Sequence, residues 1–402
     1  MPKKTPFHSR TAELCQSYSW QEWSGYLSAN LYELEHTREY YAIRTAAALI
    51  DISPLYKYHI HGPDALALLN RVVTRDVAGC AVGQVMYTPW CDDAGQVIDD
   101  GTLARLDNSL YRLTAADPTL SWLQDNALGL DVGIEDVSEA IAAVALQGPT
   151  AREVLKRLTT ADLDSLKYFR LLQTELAGVV SPPIAATISR TGYSGDLGYE
   201  IWIEPQYAGR LWDALVEVGC AYRLRAAGNL ALDMARIEAG LLLINVDFIS
   251  SKKAMFDIQK SSPLELGLGW TVKLEKDYFV GQAALWREKA RGPAWRTAGL
   301  EVDLPSLEAV YREFGMPLTL PSYSWNEAVP VYDKSGTLQI GKATSGTWSP
   351  ILKKYVALVR IRPRYAEPGT QVTMEVTVEA QRRRALATVV RTPFFDPPRK
   401  RA

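Results

Sequence analysis

The sequence predicts an α+β protein, with antiparallel sheets flanked by helices and a small C-terminal β-barrel. Three observations carry that prediction. A strand, a Gly-Pro break and an amphipathic helix occur twice, as Tyr58-His-Ile-His-Gly62-Pro63-Asp-Ala65-Leu-Ala-Leu-Leu69 and as Val144-Ala-Leu-Gln-Gly148-Pro149-Thr-Ala151-Arg-Glu-Val-Leu155. Runs rich in β-branched and aromatic residues, separated by turn residues, lie between and after these units. Beyond Ala294 the helical patterns give way to short β-type runs between Gly and Pro turns.

The repeated unit points to an internal duplication. Proline suits the start of a helix because the first N–H groups are unpaired there in any case. Strands are expected at 85–89, 101–106 and 110–115, with turns at 92–95 and 107–108, then at 185–189 and 199–203. Helices are expected at 205–218 and 227–239, the second stopping at Gly240 as a helix C-terminus does. Runs at 297–302, 330–332, 338–343, 355–360, 371–378 and 385–390 would form the barrel. The basic tail, Asp396-Pro-Pro-Arg-Lys-Arg-Ala, reads as a frayed, solvated end.

A chain of 402 residues exceeds what one core supports, so two or three domains are expected, divided as 1–290 and 291–402. A formal charge of −2 gives no field for nucleic acid. The N-terminus lacks an apolar stretch, and no window approaches the ~18–20 apolar residues of a membrane span, so a cytoplasmic protein without a membrane partner is expected. Cys15, Cys80, Cys91 and Cys220 show no paired spacing, and His59 and His61 share a strand face without a third ligand nearby. No metal site is expected.

The chemistry concentrates in a few segments. In Asp92-Asp-Ala-Gly-Gln-Val-Ile-Asp99-Asp100-Gly101 a Gly turn leads into an apolar run that becomes acidic. Adjacent carboxylates disfavour each other's anion, which raises at least one pKa toward a range useful for proton transfer. Asp100 is the catalytic candidate, and Asp99, on the opposite strand face, is read as structural or as a modest electrostatic neighbour. The same window also reads as a solvated Asp-Gly hairpin.

Arg190-Thr-Gly192-Tyr193-Ser-Gly195-Asp-Leu-Gly198-Tyr199-Glu200 places three glycines between two strands, which permits tight backbone geometry and close ligand approach. It is neither a dinucleotide nor a phosphate loop. Arg236-Ile-Glu238-Ala-Gly240 sets a cation and an acid on different helix faces, either addressing two parts of a ligand or simply solvated. In Thr344-Ser-Gly-Thr-Trp348-Ser-Pro350, the Trp either stacks on a ring or plugs a domain interface.

Taken in order, Gly83-Gln-Val-Met-Tyr87, Ala94-Gly-Gln-Val-Ile-Asp99-Asp100, the segment Arg190 to Glu200, Arg236-Ile-Glu-Ala-Gly240 and Thr344-Ser-Gly resemble the glycine-cleavage T-protein (aminomethyltransferase) family. The resemblance runs from about Thr5 to the C-terminus. It implies a three-lobed fold with tetrahydrofolate in a central channel between the first two lobes and a C-terminal barrel closing one side. By motif position it implies that Asp100 is the catalytic acid beside the folate nitrogens. It further implies that Tyr87 and Tyr193 wall the ring system, that Glu200 grips the pterin edge, and that Arg236 reaches into the channel.

The donor side departs from the family pattern. Asp51-Ile-Ser53-Pro54-Leu55 lacks the usual His, Gly95-Gln96 replaces a Gly-Gly, and Ala115-Ala-Asp117-Pro118 stands where an Asn-bearing segment is usual. Trp90 and Trp348 add aromatic bulk near two motif turns and are read as donor-binding residues. These departures favour a demethylase-type enzyme acting on a free small-molecule methyl donor, because aromatic walls suit flat rings or methylated cations. Two alternatives remain: an aminomethyltransferase acting on a lipoyl carrier protein, and a non-catalytic folate-binding sensor or assembly factor.

Overall fold

The structure is a computed structural model that describes residues 1–178 and 180–402. Two sheets face each other across a narrow interior. The first sheet has the strand order Val85–Cys91, Val97–Arg105, Leu110–Ala115, Tyr56–His61, Gly133–Asp136 and is antiparallel throughout. The helices Ala65–Val72 and Leu120–Asn126 cover its outer face, where Leu68, Leu69, Trp90, Leu103 and Leu113 form a closed core.

The second sheet has the order Leu171–Leu176, Ile184–Ser189, Gly198–Ile203, Ala142–Gln147, Ala48–Asp51, Arg225–Ala226. Its last pairing is parallel and the others are antiparallel. The helices Ala151–Leu155 and Ala208–Gly219 pack on its outer face, while Thr37–Thr45 and Asn229–Glu238 cover part of the other. The uncovered part of that face, with Glu200 and Trp202, is turned toward the first sheet, and the Arg112 guanidinium lies 4.1 Å from the Trp202 ring centroid.

The duplicated unit takes the same shape in both sheets. A strand ends at a glycine of positive φ, Gly62 at 111° and Gly148 at 125°, and a helix follows. Each proline sits just before the cap residue, Asp64 or Thr150, and so two residues ahead of the first helical position expected for it. The third lobe is a closed barrel of six strands: Arg296–Val302, Val329–Asp333, Gln339–Ser349, Lys354–Ile361, Gln371–Val378 and Gln381–Val390. Its core includes Leu300, Val331, Ile340, Val359 and Val389. The expected α+β architecture with a C-terminal barrel is therefore present.

One expectation fails. The basic tail is docked rather than frayed: Arg399 donates to both Asp196 carboxylate oxygens at 2.7 and 2.8 Å, and Arg190, 2% exposed, donates to carbonyls of Arg399, Lys400 and Ala402. A charge run cannot disclose that a buried acid and a buried arginine wait for it elsewhere in the fold. None of the described helices is long and apolar enough to cross a membrane.

Candidate active site

The acid pair lies on the strand Val97–Arg105, beside Val85–Cys91. Asp100 pairs with Pro89 and Tyr87 with Thr102, so Asp100 and Tyr87 share the inner face of the first sheet. Asp99 pairs with Trp90 and both turn the other way, into the lobe core. There Asp99 accepts N–H groups from Asp100 at 2.8 Å, Ala116 at 3.1 Å and Asp117 at 2.9 Å. It fastens the turn after Leu110–Ala115, as its structural reading anticipated.

Asp100 is half-buried, and burial pushes its carboxyl up to about 6, while the Tyr87 hydroxyl acts to lower it. Burial is also the main cause that raises Asp99, with the Asp100 charge second, against the N–H groups of Asp117 and Asp100. The Tyr87 hydroxyl is raised by burial first and then by Asp100, and the Tyr193 hydroxyl by burial, with Asp247 and Asp100 adding to it and Arg236 opposing. Asp100, Tyr87 and Tyr193 therefore form one electrostatic neighbourhood. Tyr193 also donates to the Leu242 carbonyl at 2.5 Å, which fixes its ring against the segment after Gly240.

Trp270 stands beside Tyr87 and was not singled out in the sequence. It is 62% exposed and stacks on Tyr87, with ring centroids 6.1 Å apart and planes tilted by 27°. Arg75 lies over its ring at 5.4 Å. The signal available in the sequence was a tryptophan inside the glycine-flanked stretch Gly267-Leu-Gly269-Trp270.

Glu200 sits across the interior on the second sheet. Its Oε2 accepts from Thr191 at 2.7 Å and from Ser189 at 3.3 Å, and Oε1 accepts nothing among the described residues. Burial raises its carboxyl, opposed by Thr191 and by the nearby Arg112. One oxygen is thus held in place while the other is available to a donor group. The three glycines of this segment serve packing as much as turning. A Cβ at Gly192 or Gly198 would meet the Gln147 side chain at 2.1 or 2.2 Å, and Gln147 in turn accepts from Ser194 at 2.7 Å.

Three sequence-predicted site residues lie elsewhere. Arg236 is 0% exposed and is held by Asp233 at 2.6 Å, by Asp247, by the Leu241 carbonyl, by Ser345 at 3.2 Å and by Asn326 at 3.1 Å. These partners pin its guanidinium at the junction between its helix and the barrel, near enough to Tyr193 to act on that hydroxyl. Glu238 is likewise buried, accepting from Tyr40 and Ser349 at 2.5 Å and pairing with Arg44 at 2.7 Å. Solvation does not describe this Arg-x-Glu pair. Thr344 and Ser345 donate to Asp247 at 2.5 and 2.7 Å, so their motif belongs to the same junction.

Trp90 is 0% exposed inside the first-lobe core, on the face opposite Asp100, which corrects its reading as a donor-binding residue. Trp348 pairs with Tyr355 across two barrel strands and packs on the barrel core, so it is a packing residue of the third lobe. His61 meets Glu135 at 3.3 Å, and His59 lines a separate cavity between the two sheets.

Two α+β lobes facing each other over a half-buried carboxylate, with a barrel bolted alongside, define the aminomethyltransferase class of fold. The aminomethyltransferase T structure of the glycine cleavage system from Bartonella henselae superposes with a TM-score of 0.81, covering 98% of this chain and 99% of that one at 23% identity. The GCVT N-terminal domain matches residues 6–276 and the glycine cleavage T-protein C-terminal barrel domain matches 320–396. The chain belongs to the glycine cleavage T-protein family. Among its relatives, the aminomethyltransferase of Bacillus cereus (strain B4264) is 35% identical over 362 residues, 89% of each chain. The trimethylamine-oxide aldolase of Ruegeria pomeroyi is 34% identical over 412 aligned residues, covering 100% of this chain but 48% of its own, so the chain spans about half of that relative's length.

Proposed function

We propose that this chain is a tetrahydrofolate-dependent transferase that moves a methyl or aminomethyl-derived one-carbon group from a small donor to N5 of tetrahydrofolate. The observation that carries this reading is Asp100: a half-buried carboxyl raised to about 6, on the same inner face as Tyr87. A carboxyl raised to about 6 can accept and return a proton within one turnover.

The interior suits a flat, hydrogen-bonding heterocycle. Glu200 offers one unengaged oxygen to paired N–H groups, and Tyr87 with Trp270 supplies an aromatic wall. Tetrahydrofolate, when bound, supplies the nitrogen that accepts the one-carbon group. The protein orients it, excludes water and holds or releases a proton at the Asp100 carboxylate. Holding two reactants in a near-attack arrangement can contribute ~7–11 kcal/mol of barrier lowering.

For the donor, the proposal is a free methylated small molecule. Its support is the altered donor side at Pro54, Gln96 and Asp117, together with a relative whose named substrate is a methylated amine oxide, aligned over the whole of this chain. A second reading, transfer from a lipoyl carrier protein, is favoured by relatives named aminomethyltransferase that align over 89% of their length. A folate-binding sensor or assembly factor has no need of a proton-handling Asp100.

The test is the mass of the folate product after incubation with tetrahydrofolate and either methylated amines, with and without a lipoyl carrier, or a lipoyl carrier already loaded with an aminomethyl group. A product heavier by one carbon unit without the carrier supports the proposal. Strict carrier dependence transfers it to the second reading, and no product under any condition overturns both.

A further inference from the structure

Away from Asp100, at one end of the space between the two sheets, lies a cavity of about 270 Å³. Its walls include His59 and Arg112 from the first sheet and Gln173, Thr187 and Trp202 from the second. None of the residues placed beside Asp100 lines it.

Arg112 is the unusual feature. It sits in the middle of the first sheet, between His59 and Ala104, and is 4% exposed. Among the described residues its guanidinium makes no hydrogen bond and no ion pair, and Nε is buried without a partner. A buried cation in that state is costly, since an unpaired charge loses hydration without a compensating partner. The Arg112 Cζ lies over the Trp202 ring, 4.1 Å from its centroid, a cation–π contact that uses none of the guanidinium N–H groups.

The other charged groups nearby do not engage those N–H groups. Glu200 exerts an attractive pull on Arg112 without forming an ion pair, and Lys57, also close, is bonded to three carbonyls. Glu204 lines the same cavity at its exposed rim, and its Oε2 accepts from Gln206. His59, whose Nε2 is buried without a partner, adds a second free polar edge.

We propose that this cavity is a carboxylate-binding site, in which the N–H fork of Arg112 pairs with the carboxylate of a small molecule whose body lies against Trp202 and Thr187. The fork matches a carboxylate in two parallel hydrogen bonds, which a spherical anion cannot accept in the same way. The volume falls below the ~300–1,000 Å³ usual for drug-sized ligands, so the ligand inside is an amino-acid-sized acid or the acidic end of a longer one. The site stands without the folate reading, because its test is made with folate absent.

The test titrates the full chain with acetate, benzoate, N-methylglycine and 4-aminobenzoylglutamate by calorimetry, comparing wild type with Arg112→Met and Arg112→Lys. Met keeps a stem over Trp202 and removes the charge, and Lys keeps the charge and removes the fork. Saturable binding in the wild type, weakened at least tenfold by Arg112→Met and by a smaller factor in Arg112→Lys, is expected. If Arg112→Met does not fold, as judged by its thermal transition, Arg112→Lys carries the comparison. Binding of any of the four acids that the variants weaken supports the site, and binding of 4-aminobenzoylglutamate alone shows that the ligand's body is longer than an amino acid. Failure of all four acids to bind the wild type, or equal binding by a folded variant, overturns it.

Discussion

Asp99 and Asp100 share a peptide bond and point to opposite faces of one strand, Asp99 into the lobe core and Asp100 into the space between the sheets. The division separates two jobs that the dipeptide leaves combined. Asp99 is bound by three N–H groups and holds a turn; Asp100 has a hydroxyl beside it and a carboxyl that burial pushes up to about 6.

The first prediction concerns Asp100→Asn. Loss of general acid–base assistance lowers one-carbon transfer by ~10²–10⁴-fold. Tetrahydrofolate binding, measured by calorimetry, should change by less than about threefold, or 0.7 kcal/mol. Unchanged turnover would remove Asp100 from the mechanism.

The second concerns pH. With Asp100 acting as the anion that takes a proton, kcat/KM should fall as pH drops through about 6, and Asp100→Asn should lack that limb. A flat profile between pH 5 and 7 would sink the assignment.

Stability gives the third prediction, with the opposite sign. A carboxyl raised in the folded state binds its proton more tightly folded than unfolded, so ionising it opposes folding. The penalty is absent below the unfolded value near 4 and complete above about 6. Asp100→Asn should therefore gain about 1–3 kcal/mol relative to wild type at pH 7.5, and that gain should shrink toward pH 4. Denaturant unfolding at the two pH values measures it.

The fourth prediction addresses the junction. Arg236 pairs with Asp233 and Asp247, and Asp247 also accepts from Thr344 and Ser345 of the barrel. Removing one partner of a buried ion pair costs about 3–5 kcal/mol because the other charge is stranded. Arg236→Met should lower the thermal midpoint sharply, and calorimetry should show the barrel melting separately from the first two lobes. A single transition at the wild-type temperature would contradict the clamp.

Trp270→Ala supplies the fifth. Removing the ring that stacks on Tyr87 should raise KM for tetrahydrofolate about 3–10-fold, corresponding to an aromatic pair of about 0.5–1.5 kcal/mol, with a smaller effect on kcat. A fall confined to kcat would argue that Trp270 shapes the transition state instead.

The sequence by itself determined the repeated strand–Gly-Pro–helix unit, the six barrel runs, the strand 110–115 and the face on which each aspartate lies. These are local properties: strand periodicity and turn chemistry fix them within a few residues, and proximity in sequence is enough to read them. What Arg236, Trp90, Trp348 and the basic tail do was decided only by the tertiary structure, because each role depends on a partner supplied by a distant segment. Arg236 finds Asp247 and Ser345 and becomes a clamp, Trp90 finds the first-lobe core, and Arg399 finds Asp196. Arg112 shows the same rule in reverse. Nothing in its strand marks it, and only the approach of Trp202 from the second sheet leaves it as a buried cation whose fork has no partner among the described residues.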